Sequence, residues 1–160
     1  MQKLNLNQGQ EESSIRHPAM FSEEFIERFV HQFEELSGQD CTCEHRLTLG
    51  ADELVINTNN GDEQELNVAI QNKTRLVIRR VCFNRQRNGY FTHVVFDLLE
   101  YLKETIVTDV EIESVLTPEM LNWCKKYHFE QIPSQYYTPE GLCGSYRIDL
   151  MQLRKIMGCR

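Results

Sequence analysis

Residues 75–115 read RLVIRRVCFNRQRNGYFTHVVFDLLEYLKETIVTDVEIESV, and the reading of this stretch decides the fold. Arg75–Phe83 is rich in β-branched and aromatic residues and predicts a strand. At Asn88-Gly89 the pattern changes. Val94, Val95, Leu98, Leu99 and Leu102 mark the buried stripe of a helix running to about Glu104. Thr108–Val115 predicts a second strand. A strand, a helix and a strand in succession imply a parallel pair joined by a right-handed crossover, because parallel neighbours need a long connection.

Working outward, Thr117-Pro118-Glu119 is a helix start: a capping hydroxyl, a proline at the first position and an acid near the positive end of the dipole. That helix runs to about Tyr127. Short strands are expected near Phe129–Ile132 and Ser145–Leu150, then a last helical turn or two from Met151. On the other side, strands are expected at Cys43–Leu49, Glu53–Thr58 and Glu65–Gln71. Gly50-Ala51-Asp52 and Asn59-Asn60-Gly61-Asp62 supply the turns between them, which favours an antiparallel meander. A helix from about Ser22 to Ser37 precedes these strands, with Ser22 as its cap, Glu23 and Glu24 in its first turn and Gly38 at its exit. Phe21, Phe25, Phe29, Phe33 and Leu36 recur at helical spacing and read as a core face. Residues 1–17, rich in Gln, Asn, Glu and Ser, read as a flexible tail ahead of a single domain over residues 18–160. The fold class is therefore α/β (α+β).

The 160 residues suit one core, and 41% hydrophobic with 26% charged residues is a globular composition. No apolar run approaches the ~20 residues that cross a bilayer. The first residues lack the apolar segment of a secretory signal, so a cytoplasmic location and no membrane partner are expected. A net charge of −7 weighs against a nucleic-acid partner. Arg75, Arg79, Arg80, Arg85 and Arg87 nevertheless crowd into one stretch and suggest a local basic patch. The 6 cysteines show no disulfide framework. Cys41-x-Cys43-x-His45 would share one strand face, but a structural zinc wants four ligands and no partner C-x-x-C pair exists. No metal is expected.

The segment from Arg75 to Pro133 resembles the GNAT superfamily of acyl-CoA N-acyltransferases. Those proteins carry Q/R-x-x-G-x-G/A between a central strand and the next helix, where this chain has Gln86-Arg87-Asn88-Gly89-Tyr90-Phe91. The physical logic holds without the family: free N–H groups at a helix start attract phosphate, and glycine permits a close approach or a positive φ. The family's second block, an Asn opening a helix, then Ala, an aromatic-Tyr pair and Gly-Phe, is matched by Thr117, Met120, Trp123-Cys124 and His128-Phe129.

The resemblance implies a mixed, mostly antiparallel sheet with a central splayed parallel strand pair and flanking helices. It implies acetyl-CoA or another acyl-CoA as substrate and an amine of unknown identity as acceptor. The pantetheine arm would lie on the backbone of Val81, Cys82 and Phe83. The phosphates would lie on Gln86, Arg87, Asn88, Gly89, Tyr90, Phe91 and Thr92, with Arg85 adding charge and Thr117 contacting the cofactor. Glu113, with Glu111 as a second candidate, would be the base, and Cys124 or Tyr127 the acid for the leaving thiolate.

Each of these residues also has an ordinary structural reading. Strand carboxylates often form a solvated face, His93 and His128 read as helix-surface and turn residues, and an isolated helical cysteine is commonly buried and inert. Three positions depart from the family: Phe91 for a small residue, Thr117 for Asn, and Cys124 for the usual Tyr. Departures of this kind are what loss of catalysis would look like. The alternative is a catalytically degenerate binding or regulatory protein acting through a protein partner, and a homodimer is also open.

Overall fold

The computed structural model describes residues 21–59, 64–82, 89–133 and 138–160. The expected tail at residues 1–17, most of the turn at residues 59–62, and the site residues Phe83, Gln86, Arg87 and Asn88, with Arg85, lie outside the described residues.

Helix α1 (Glu23–Ser37) begins and ends where its local chemistry places it. The Ser22 hydroxyl accepts the Phe25 N–H at 3.1 Å. Gly38 closes the helix at φ 68°, its N–H bonded to the Glu34 carbonyl. Phe25, Phe29 and Phe33 are buried, together with Phe21. At roughly 1.5–3 kcal/mol for each such side chain, the stripe outweighs the caps as the anchor of this helix. Tyr101 stacks on Phe25 with ring centroids 3.9 Å apart and its hydroxyl receives the Ser22 N–H, tying α1 to the next helix.

Strands β1 (Cys41–Thr48), β2 (Ala51–Thr58), β3 (Glu65–Gln71) and β4 (Arg75–Cys82) form the antiparallel meander. The first turn is tighter than expected. Leu49-Gly50 alone connects β1 to β2, so Ala51 and Asp52 belong to β2. Asp52 is thereby carried to the buried face, where its carboxylate accepts the Phe21 N–H at 2.8 Å and engages His45 Nε2. Cys41 and Cys43, on the same face of β1 as His45, are half-buried against the core.

Helix α2 (Tyr90–Leu102) crosses to β5 (Asp109–Ile112), which lies parallel to β4 with Arg75 opposite Asp109 and Ile78 opposite Ile112. The remaining elements are α3 (Pro118–Lys126), β6 (Glu130–Gln131), β7 (Tyr146–Asp149) and α4 (Leu150–Met157). The Asp149 carboxylate accepts the Gln152 N–H at 2.9 Å, which ends β7 and starts α4 one residue earlier than Met151. The sheet order is β1-β2-β3-β4-β5-β7-β6, and β4–β5 is its one parallel pair among the described residues.

One core joins the inward side chains of the sheet to buried residues of every helix, including Leu54, Leu76, Ile78, Val110, Val95, Leu98, Leu121 and Leu153. The opposite sheet face is mixed: Val55, Ala69 and Val77 are buried there, while Arg79 meets Glu53 and Glu111 lies between Arg75 and Arg147. Among the described residues no helix is long and apolar enough to cross a membrane.

Candidate functional site

The strand expected over Thr108–Val115 is shorter than its pattern because its end turns away. The last rung to β4 is the Glu113 N–H on the Ile78 carbonyl, at 2.9 Å. Ser114 then takes φ 53° and donates its N–H to Ser145 Oγ, while Val115 pairs with Gly144 and Cys143. A left-handed residue other than glycine is uncommon, and this one directs the chain toward β7 rather than along β4.

β4 bends at the same level. Its register against β3 passes from Ile78 opposite Val68 to Arg80 opposite Asn67, leaving Arg79 as the extra residue of a β-bulge. Ladder alternation on β3 continues through the bulge, so the N–H and C=O of Val81 point away from β3, to the side that β5 has vacated. Between the parted strands lies a cleft of about 250 Å³. One wall is Ile78–Cys82, the other Ile112–Thr117, and Met120 of α3 also lines it.

The cleft gathers Val81, Cys82, Glu113 and Thr117 from the expected site. Glu113 is partly exposed there, its carboxylate 3.5 Å from Arg79 Nε. Arg79 also donates to Glu53 at 3.1 Å. Glu111 is held off the cleft between Arg75 and Arg147, at 3.5 and 3.4 Å. Arg80 pairs with Glu65 at 3.2 Å. The described members of the arginine run are therefore each matched by an acid, and they do not form a free cationic patch. The Thr117 hydroxyl is occupied as the α3 cap, accepting the Met120 N–H at 3.2 Å.

Gly89, Tyr90, Phe91 and Thr92 open α2. Gly89 is left-handed, φ 71°, and caps without a side-chain hydrogen bond. Helix geometry leaves the N–H groups of Phe91 and Thr92 without an intrahelical acceptor. Phe91 does not stand free: its ring meets Trp123 edge-on with centroids 4.6 Å apart. Thr92 Oγ1 accepts the Trp123 indole N–H at 3.0 Å, so these two contacts lock the start of α2 to α3.

Cys124 and Tyr127 are not among the residues lining the cleft. Cys124 is 0% exposed, and burial pushes its thiol up to about 12. Tyr127 ends α3, its ring 4.7 Å from Trp123. The sequence pointed to Arg79 only as part of a basic patch and to Met120 only as a motif position, and it did not single out Ser114. The bulge left a faint trace in the spacing of Leu76, Ile78 and Val81, two residues and then three, which Val77 obscures. Among the described residues no cluster of His, Cys, Asp and Glu could hold a metal ion. No protein-family model matches the chain, and no curated protein matches it.

Proposed function

We propose that the protein binds an acyl-CoA, acetyl-CoA being the simplest, in the β4–β5 cleft and transfers the acyl group to an amine, as a divergent GNAT-type N-acyltransferase. One observation carries this reading: the parallel strands part just after Ile78 and Ile112, and the bulge turns the Val81 N–H into the gap. Ligands of open α/β sheets favour the carboxyl ends of parallel strands, where this gap opens. The residues fit such a group. Ile78, Val81, Ile112 and Val115 offer apolar walls for a pantetheine arm, and a main-chain donor suits its amides or the thioester oxygen. The phosphates fall to the start of α2, at Gly89, Tyr90, Phe91 and Thr92.

When bound, the thioester supplies an activated acyl carbon and a thiolate leaving group. Glu113 accepts a proton from the incoming amine, with Arg79 orienting its carboxylate. Solvent supplies the proton for the thiolate.

Binding without turnover is the second reading, favoured by one fact. Cys124, in the position of the family's acid, is enclosed in the core with its thiol pushed up to about 12.

Calorimetric titration with acetyl-CoA, followed by a thiol-release assay over a panel of amines, tests both. Turnover that Glu113→Gln abolishes with affinity unchanged supports the transferase, because only a transition-state interaction is then lost. Binding with no turnover supports the second reading. No binding at millimolar CoA removes both.

A further inference from the structure

β1 is an outer strand of the sheet, and no described residue pairs with its outer edge. Leu49-Gly50 is a two-residue turn, so Thr48 and Ala51 exchange their N–H and C=O groups across it. Alternation then points the main-chain groups of Thr42, Glu44 and Arg46 at β2, and those of Cys43, His45 and Leu47 outward. Exposed edges are ordinarily blunted by short length, proline, a bulge or charged side chains, and charge is the one of these that β1 carries. β1 runs 8 residues without proline and in unbroken register from Cys41 to Thr48. Of its ionisable side chains, Glu44 and Arg46 lie on the face away from the core and contact each other at 2.7 Å, while His45 lies on the core side against Asp52. Leu47, on the core side, is 60% exposed.

We propose that this edge is the interface of a two-fold homodimer in which β1 pairs antiparallel with β1 of a second copy, His45 opposite His45, making one continuous sheet. Charge selects the register. Outward main-chain groups belong to odd-numbered residues, so odd must face odd. Centring the pair on Glu44 sets two carboxylates opposite each other, and centring on Arg46 sets two guanidinium groups opposite. Centres farther out pair fewer strand residues. Centring on His45 sets Glu44 against Arg46 of the second copy and the reverse. With the contacts already made within each strand, the four side chains form a square of alternating charge. On the other face Leu47 meets Cys43 of the second copy, which covers the exposed leucine. Each His45 ring is already engaged by its own Asp52 through Nε2, so the two facing rings do not compete for a partner. The overlap from Thr42 to Thr48 supplies about six main-chain hydrogen bonds. The second copy is a self-complementary occupant of this edge.

Sedimentation of the full chain over a micromolar range tests this, with circular dichroism as the folding control. The wild type is expected to dimerise. Glu44→Arg alone and Arg46→Glu alone each create two like-charged cross-strand pairs, and each should weaken the dimer about tenfold or more. An equimolar mixture of these two single variants should form a heterodimer, and the double variant Glu44→Arg/Arg46→Glu should dimerise again. A wild type that stays monomeric overturns the proposal. So does a dimer indifferent to both single variants, or a mixture of them that remains monomeric.

Discussion

Replacing Cys124 by alanine separates packing from proton donation, and the structure sets the size of each effect. The side chain is fully enclosed with Leu121, Phe129 and Tyr146 in the same core. Deleting its sulfur removes one buried heavy atom and leaves a small void, a loss of about 1–2 kcal/mol. For a chain of this length each kcal/mol lowers Tm by about 2–4 °C. Ionisation supplies a second, independent magnitude. Burial raises the thiol from 9.0 to about 12. At neutral pH the folded chain thus holds roughly a thousandfold less thiolate at this site than an ordinary thiol, a penalty on the order of 4 kcal/mol for ionising in place. The unfolded chain releases this proton near 9 and the folded chain only near 12, so the folded state holds more protons in that window. Its contribution is complete below pH 9 and is lost as pH rises, by about 1.4 kcal/mol per unit.

Cys41, Cys43, Cys159 and Tyr146 are also raised by burial, so the wild-type curve alone mixes several slopes. The difference between wild type and Cys124→Ala removes the slopes of the other cysteines and leaves that of Cys124, together with the part of the Tyr146 shift that the Cys124 charge supplies. Urea unfolding at pH 7, 9 and 10 should show a gap of about 1–2 kcal/mol at pH 7 that narrows above pH 9. Acetyl-CoA affinity and turnover per folded molecule should not change. A gap independent of pH would refute the assigned burial, and a selective fall in turnover with affinity intact would refute the packing role.

Two further outcomes follow from local geometry. Gly89→Ala places a Cβ on a backbone at φ 71° with no described residue within 4 Å, so backbone strain acts and should lower stability by about 1 kcal/mol, read by thermal melting. An unchanged Tm would mean that α2 does not start on a left-handed residue. Arg154 is buried and donates to the Leu99 and Arg160 carbonyls, both at 2.6 Å, with Glu100 at 3.5 Å. Arg154→Met should cost about 2–4 kcal/mol by stranding these acceptors. Hydrogen exchange should accelerate first at the end of α2, and uniform acceleration across the chain would contradict that placement.

Much of the architecture was legible locally. Glu65–Gln71 is a strand over the expected span, and α1 and α3 start at Ser22 and Thr117, because capping and side-chain period are decided within a few residues. The pattern of residues 75–115 alone implied that β4 and β5 run parallel, since a crossover helix admits no short return. The composition of the candidate site was legible only in part. Val81, Cys82, Glu113 and Thr117, expected from separate elements, line one cleft, whereas Cys124 sits on a helix whose buried face is chosen by what packs against it. The arginine run looked cationic because its acids lie far away in the chain: Glu53 and Glu113 for Arg79, Glu65 for Arg80, Glu111 for Arg75. The bulge at Arg79 and the turn at Ser114 depend on partners in β3 and at Gly144 and Ser145. Capping groups and hydrophobic period act over one or two turns, so the chain alone determined which elements form. Where two strands part is determined by the hydrogen bonds each makes to its other neighbour, and those exist only once the sheet is assembled.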